Sequence, residues 1–288
     1  MSTAVIVLRK DEAAERLSAF LEATLIEHSE DAFQRAFQDH DHIVAVMAIG
    51  IVVRNIAPLL KDKWVDPAVV VVSPDQRYAI PIVGGHHGAN ELAASLRPLG
   101  IVPIITTASE ALGLESVEVH AAKRGMDVLN RPSTREVNAA ILESEVPLYA
   151  LTGPALAVIG PGVSLLLRKG EYIVGVGCNK GTSRDEVAEV IGKALVDMGI
   201  SPHEVMAYAT TEKKRWEEGL IDGVRSLDGC LVFVDDETIN AQAVVTPSKA
   251  FVLGLNGVAE PAALAFARRK ELVMEKRASG NVTVAIAR

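Results

Sequence analysis

Residues 84–91 carry side chains suited to acid–base chemistry. They read Gly-Gly-His-His-Gly-Ala-Asn-Glu, so that two imidazoles, an amide and a carboxylate lie on a glycine-rich loop before a predicted helix. A neutral imidazole can take a proton from water near neutral pH, and free backbone N–H groups can stabilise an oxyanion. The segment indicates either a catalytic loop or a surface loop whose histidines only form hydrogen bonds. Because adjacent histidines point in different directions and no third ligand follows at a suitable spacing, we predict no metal site.

Residues 175–183 predict a loop that binds an anion. They read Gly-Val-Gly-Cys-Asn-Lys-Gly-Thr-Ser, in which the third glycine comes one residue late for a dinucleotide fingerprint. Ser183 and Glu186 are expected to cap a helix whose positive end, together with Lys180 and Arg184, suits a carboxylate or a phosphate. The alternative is a tight turn that needs glycine for its geometry alone.

Three other features are open to two interpretations. Cys178 lies near the predicted helix start and beside Lys180, which could lower the pKa of its thiol, although packing is the simpler role. Arg54 follows Gly50 closely and is either a clamp for a carboxylate or a solvated helix residue. Residues 212–218 carry charges of both signs at helical spacing, which predicts a solvated helix face.

Uninterrupted apolar runs predict the strands that position these segments, since parallel strands are covered on both faces. We expect an α/β protein of two three-layer α/β domains with largely parallel sheets, at residues 1–124 and 171–288, joined by a small middle region at 125–170. Ligands bind beyond the carboxyl ends of strands in such sheets, and a loop of interest follows a predicted strand at residues 50, 84 and 177. The predicted strands are 4–8, 43–48, 68–72, 78–83, 101–106, 172–176, 205–208, 231–234 and 282–287. The predicted helices include 51–60, 89–96, 184–198, 212–220, 238–243 and 259–269, with another that starts in a capping box of Ser133 and Glu136.

Composition excludes several classes of protein. The 288 residues are 49% hydrophobic and 4% aromatic, with a net charge of −8. The chain is therefore expected to fold, and it lacks both the positive charge and the aromatic platforms of a nucleic-acid binder. Two isolated cysteines and the absence of a long apolar segment predict a cytoplasmic protein with no membrane partner.

An ordered set of segments resembles the cobalt-precorrin-5A hydrolases of anaerobic cobalamin biosynthesis. In the first half these are residues 47–60, 66–71, 85–93 and 105–108, and in the second half 175–182, 259–264 and 282–288. The last two read Ala-Glu-Pro-Ala-Ala-Leu and Val-Thr-Val-Ala-Ile-Ala-Arg. This chain has Ile49 where the family has threonine, and its loop after His86 is one residue shorter.

The resemblance implies an enzyme that opens the lactone of cobalt-precorrin-5A and releases acetaldehyde, giving cobalt-precorrin-5B. His86 or His87 would be the general base, Glu91 would orient it, and Asn90 would assist the oxyanion. The partner would be the cobalt-containing tetrapyrrole, with neighbouring pathway enzymes as further candidates, and no cofactor or protein-bound metal is expected. The residues expected to bind the substrate are Gly50, Arg54, Gly85, Gly88, Gly177, Cys178, Lys180, Gly181, Thr182, Ser183, Arg184 and Glu260.

Two other functions fit the same residues. A tetrapyrrole-binding or hand-over protein of the pathway would use the same anion-binding loops without an activated histidine. A nucleotide-binding α/β protein would use the glycine loop at residues 175–181.

Overall fold

The computed structural model describes residues 2–85, 88–108, 112–151, 155–246 and 249–288. The chain divides into two compact units, Met1–Glu118 (unit 1) and Val119–Arg288 (unit 2). Within the described residues, no helix is both long enough and apolar enough to span a membrane.

Unit 1 is a six-stranded sheet with helices on both faces. Its strand order is β2-β1-β3-β4-β5-β6, and every pair is parallel except β4 with β5. The strands are β1 (Thr3–Val7), β2 (Thr24–Glu27), β3 (His42–Val46), β4 (Ala68–Val72), β5 (Tyr78–Val83) and β6 (Val102–Pro103). The helices are α1 (Glu12–Phe20), α2 (Ala32–Asp39), α3 (Ile49–Ile56) and α4 (Ala89–Ser95), with a 3₁₀ turn at Arg97–Leu99.

Alternating side chains of the central strands divide the core of unit 1 into two layers. Val44 and Val70 face α1 and α4, whereas Ile43 and Val69 face α2 and α3. All five residues of β4 are buried, as the apolar run predicts for a strand covered on both faces. The predicted three-layer arrangement is therefore confirmed.

Unit 2 begins with a four-stranded antiparallel sheet at the region predicted to be a connector. Helix α5 (Val117–Lys123) crosses the boundary between the units, and α6 (Thr134–Glu143) follows β7 after a 3₁₀ turn at Arg131–Ser133. The sheet order is β7-β10-β9-β8, with strands β7 (Met126–Val128), β8 (Leu148–Leu151), β9 (Ala155–Ile159) and β10 (Val163–Arg168). Leu167 of β10 shares a core with β11 and β12 of the next sheet, so this region packs as part of unit 2.

The second sheet of unit 2 has the order β13-β12-β11-β15-β14. Strands β11, β12 and β13 are parallel, whereas β15 and β14 are antiparallel to their neighbours. The strands are β11 (Tyr172–Cys178), β12 (Val205–Thr211), β13 (Leu231–Val234), β14 (Leu272–Ser279) and β15 (Val282–Ala287). The helices are α7 (Arg184–Asp197), α8 (Glu218–Ser226), α9 (Asp236–Asn240) and α10 (Ala259–Phe266), with 3₁₀ turns at Pro202–Glu204, Glu212–Lys214 and Lys249–Leu253.

The predictions made for residues 133–136 and 212–220 are wrong. Ser133 does not form a capping box with Glu136, because its hydroxyl donates instead to the carbonyl oxygen of Asn130 at 2.7 Å. The predicted helix at 212–220 is interrupted: a 3₁₀ turn occupies Glu212–Lys214 and α8 begins only at Glu218. The mixed charges of residues 212–218 are compatible both with one continuous helix and with a 3₁₀ turn followed by a separate helix. The sequence pattern therefore does not distinguish these two arrangements.

Candidate functional site

The loop after β5 lies at the edge of the unit 1 sheet where the parallel strands begin, which we call the amino edge. Because β5 is antiparallel to β4, its last residue Val83 pairs with Val69 near the start of β4. A Cβ atom on Gly84 would stand 2.9 Å from the Cα atom of Ala68, and one on Gly88 would stand 2.8 Å from Nε2 of His42. Both glycines have positive φ, at 74° and 98°. The loop is therefore bent back tightly against the strand starts.

Asn90 holds this loop from inside. Its side chain is 3% exposed, and its Nδ2 donates to Oγ1 of Thr107 at 2.8 Å. The same amide lies 3.4 Å from the point where a Cβ atom of Gly85 would stand. Glu91, in contrast, is exposed on the first turn of α4. His86 and His87 lie outside the described residues, and their predicted role as a general base stays a prediction.

A cavity of about 380 Å³ runs along the same amino edge. Asp41 and Asp66 line it, but their carboxylates already accept hydrogen bonds from the backbone N–H groups of Ser2 and Lys61. Across the residues that the structure describes, no group of three histidine, cysteine or acidic side chains is placed to hold a metal ion. The cavity is lined by Phe37, Gln38, Asp39, His40, Asp41, His42, Trp64, Val65, Asp66, Pro67 and Ala68.

Gly50 and Arg54 lie at the opposite, carboxyl edge of the unit 1 sheet. They belong to α3, which begins three residues after the end of β3. A Cβ atom on Gly50 would stand 3.9 Å from Nη1 of Arg54, so the guanidinium reaches back along the exposed side of the helix. A five-residue strand is about 13 Å long. The structure therefore does not bring Arg54 together with Gly85, Gly88 and Asn90 at one edge of the sheet.

The loop at residues 177–184 lies at the carboxyl edge of the second sheet of unit 2, where β11, β12 and β13 end. The hydroxyl of Thr182 donates to the carbonyl oxygen of Asn179 at 2.9 Å, and Oγ of Ser183 accepts from the N–H of Glu186 at 3.3 Å. The predicted helix cap is thus formed by the serine, but the Glu186 carboxylate binds the N–H of Asn281 at 2.7 Å instead. Lys180 and Arg184 are exposed at the rim of the loop.

Glu217 was not predicted as part of this loop, yet its carboxylate is bound there. Oε2 of Glu217 accepts from the N–H of Gly181 at 3.0 Å, and Oε1 lies 3.4 Å from Nζ of Lys214. The hydrogen bond from Gly181 is the main cause that lowers the pKa of Glu217. The N–H of Gly181 is therefore already occupied by a carboxylate of the chain itself, and the predicted binding of a ligand anion by this loop stays a prediction. Glu217 and Gly181 are 36 positions apart, and nothing in the sequence indicates that they form a pair.

Cys178 does not have the activated thiol that its neighbours in sequence allow. Burial raises the pKa of its thiol, and the positive charge of Lys214 opposes that rise only in part. Gly177 is buried beside it, and its carbonyl oxygen accepts from the hydroxyl of Thr283 at 3.2 Å. Packing is the role that this environment favours for Cys178.

Glu260 is a buried carboxylate with both oxygens engaged. It is 2% exposed at the start of α10. Oε1 accepts from the hydroxyl of Thr246 at 2.6 Å and the N–H of Lys276 at 2.9 Å, while Oε2 accepts from the N–H groups of Val245 and Thr246 at 3.3 and 3.1 Å. Burial raises the pKa of this carboxyl, but the four hydrogen bonds outweigh burial and the net shift is downward. These bonds join α10 to the 245–246 segment and to β14.

A cavity of about 470 Å³ at the amino edge of the same unit 2 sheet is lined by arginines, but those arginines form ion pairs. Arg268 pairs with Asp127. Arg269 and Arg288 both pair with Glu171, at 3.5 and 3.6 Å. We interpret this cavity as a gap within a structural ion-pair network and not as an anion site.

Two family models match the chain. Residues 31–110 match the model described as cobalamin synthesis G N-terminal, and residues 172–287 match cobalamin synthesis G C-terminus. A cobalt-precorrin-5A hydrolase from Priestia megaterium is 30% identical over an alignment 301 positions long, which covers 87% of this chain and 79% of that protein. The chain belongs to the cobalamin synthesis G family.

Other members of the cobalamin synthesis G family are similar over most of their length. A protein from Methanocaldococcus jannaschii, named as a probable cobalt-precorrin-5A hydrolase, is 28% identical, with 85% of this chain and 84% of the relative covered. A crystal structure of a cobalamin biosynthesis protein G homologue from Sulfolobus solfataricus is 24% identical, covers 99% of this chain and 96% of that chain, and has a TM-score of 0.38. The two matched regions contain the amino-edge loop of unit 1 and the 177–184 loop of unit 2.

Proposed function

We propose that this protein opens the lactone ring of cobalt-precorrin-5A and releases acetaldehyde, giving cobalt-precorrin-5B in the anaerobic route to cobalamin. The observation that carries the proposal is the 30% identity to the Priestia megaterium cobalt-precorrin-5A hydrolase over 87% of the chain. The cobalt belongs to the substrate, and we propose no cofactor or resident metal. Both cysteines are free, which suits a reducing cytoplasm.

The chemistry needs an activated water and a stabilised oxyanion. Water attacks the lactone carbonyl, the ring C–O bond breaks, and a later cleavage of a carbon–carbon bond expels the two-carbon fragment. A positioned general base contributes ~10²–10⁴-fold and one oxyanion donor about 3 kcal/mol, so one histidine and a few N–H groups suffice for much of the effect. His86 is our candidate for the base, with His87 as the alternative.

The described part of the amino-edge loop supports this assignment through its contacts with neighbouring residues. Asn90 and Thr107 hold the loop from one side, and His42 packs against Gly88 on the other. A catalytic group on a loop must be held in place by its neighbours, and these contacts supply such support. We assign Asn90 as a positioning residue as well as a candidate oxyanion donor, and we propose that Glu91 orients the base from α4.

The substrate carries many peripheral carboxylates and meets a protein of net charge −8, so local positive charge must bind it. Arg54, Lys180 and Arg184 are exposed, and none has an ion-pair partner among the residues that the structure describes. We propose that these three side chains bind substrate carboxylates. Glu260 contributes by holding the backbone around α10, since its oxygens are already bonded.

The test is an anaerobic incubation of the purified protein with cobalt-precorrin-5A, in which acetaldehyde and the mass of the macrocycle are measured. One acetaldehyde per macrocycle, dependent on the protein and lost in H86A or H87A, is the expected result. If the macrocycle binds but stays unchanged, the enzyme assignment is wrong and the protein is a tetrapyrrole-binding or hand-over protein. An increase in melting temperature with NAD or ATP, without any binding of the macrocycle, would instead favour nucleotide binding.

A further inference from the structure

We propose that Trp216 and Arg215 form a stacking subsite for the flat face of the tetrapyrrole at the carboxyl edge of the unit 2 sheet. The proposal rests on the proposed function. Trp216 lies between the 3₁₀ turn Glu212–Lys214 and helix α8, where the chain leaves β12. Its side chain is 81% exposed, whereas tryptophan is highly buried on average. Ligands of α/β sheets bind at this edge, and an exposed indole there offers a flat apolar face on which a conjugated ring can stack.

The position of Trp216 is held from both sides. On the carboxyl-terminal side, Glu217 is bonded to Gly181 at 3.0 Å and to Lys214 at 3.4 Å, so the residue after the indole is fixed to the 177–184 loop. On the amino-terminal side, Lys213 pairs with Asp236 at 2.6 Å. The backbone that carries Trp216 is therefore tied to the 177–184 loop and to α9, so this backbone needs little ordering when the indole binds a ligand.

The charges around Trp216 match a ring of carboxylates. The guanidinium of Arg215 lies 5.5 Å from the centre of the indole ring, and both side chains line a recess of about 240 Å³ with Glu212 and Lys213. Lys213 and Lys214 are engaged with acidic side chains, whereas Arg215, Lys180 and Arg184 lack ion-pair partners within the described ranges. A conjugated macrocycle that stacks on the indole would place its peripheral carboxylates near these three cations.

Stacking of one flat ring on an aromatic side chain typically changes affinity by about five- to a hundredfold. We therefore expect W216A to raise KM for cobalt-precorrin-5A about tenfold with kcat within about twofold of the wild-type value. W216F should recover most of the loss, and R215M should raise KM less than W216A. V196A is the matched control, because Val196 is 78% exposed near the far end of the 14-residue helix α7 and should leave KM unchanged.

A second readout does not depend on turnover. The chain has two tryptophans, so W64F leaves Trp216 as the single indole that N-bromosuccinimide can oxidise, and its oxidation is read from the peptide that contains it. Anaerobic cobalt-precorrin-5A should protect Trp216 in this variant, as measured by mass spectrometry. Unprotected oxidation together with an unchanged KM in W216A would overturn the subsite. Protection without acetaldehyde release would support the subsite while the hydrolase assignment fails, and a macrocycle that does not bind at all would overturn both.

Discussion

The imidazole of His42 lies against the backbone of Gly88, with its Nε2 atom 2.8 Å from the place where a Cβ atom would stand. The first residue of β3 thus limits which residue can precede α4, although the two are 46 positions apart in the sequence. Gly88 also has a φ of 98°, which an L side chain rarely adopts. Two separate reasons therefore require glycine at this position.

These two reasons can be separated by mutation. G100A, at a φ of 80° with nothing within 4 Å of the added methyl group, should lower the free energy of unfolding by about 1 kcal/mol. G88A should cost about 1–2 kcal/mol more, because the methyl group meets His42. Urea denaturation measures both. The double variant H42A/G88A should recover the additional loss, and equal losses in G88A and G100A would show that the contact is unimportant.

The carboxylate of Glu260 should control stability at acidic pH. Its pKa is lowered in the folded state, so its contribution is fully present above the ordinary value of 4.5 and is lost as the pH falls through the folded value. E260Q should lower the free energy of unfolding at pH 7 by about 2–4 kcal/mol and flatten its decline below pH 4.5.

Denaturant titrations across the pH range give this result, with E218Q as the control because Glu218 is exposed at the start of α8. T246V removes one of the four hydrogen bonds and should cost about 1–2 kcal/mol. An E260Q protein that keeps the wild-type acid profile would contradict the role assigned to this carboxylate.

The thiol of Cys178 should react slowly. In a C230S background, the rate of alkylation by iodoacetamide should rise with a midpoint above pH 9.0, because burial raises the pKa of the thiol. K214M should move the midpoint further upward, since Lys214 is the cation that opposes burial. K193M, on the exposed side of α7, should not move it. A midpoint near neutral pH would contradict this prediction and would show that the thiol of Cys178 is activated.

Arg54 and Asn90 should contribute independently to catalysis. R54M is expected to raise KM for cobalt-precorrin-5A, with R54K recovering part of the loss because lysine keeps the charge without the planar fork. N90A is expected to lower kcat, because it removes the hydrogen bond to Thr107 that holds the amino-edge loop in place. The two residues lie at opposite edges of a sheet whose five-residue strand β3 is about 13 Å long, so their effects on kcat/KM should add within about 0.5 kcal/mol. A larger coupling, measured from acetaldehyde release, would mean that both residues act on the same group.

Fully apolar runs allow a reliable prediction of strands but not of their direction. The bounds of β4 and β5 were predicted correctly, because five or six apolar or β-branched residues lie between turn residues. The direction of β5 cannot be read from the same run. If β5 were parallel to β4, the amino-edge loop that follows it would lie at the carboxyl edge of the sheet with Gly50 and Arg54. Because β5 is antiparallel to β4, the loop lies at the amino edge instead.

Short and half-exposed elements were missed. Strand β2 has only Leu25 and Ile26 as apolar residues, and neither is fully buried. Strand β8 reads Leu-Tyr-Ala-Leu, but a run of only four apolar residues does not by itself distinguish a strand, and its residues are intermediate or exposed in the structure. The site contacts that were missed, His42 with Gly88 and Glu217 with Gly181, join residues 46 and 36 positions apart. Such pairings depend on sheet order, which a single sequence does not provide.

Gly175 and Gly177 leave the second half of one face of β11 without side chains, and the start of α10 lies on that bare backbone. A Cβ atom on Gly175 would collide with the carbonyl of Ala259. The helix can therefore neither slide nor rotate without meeting the main chain of the sheet. Glu260 is the next residue of the helix after Ala259, so the same backbone contact also fixes its position. The distance from β11 to the segments bonded to the Glu260 carboxylate is therefore set by contact between two backbones.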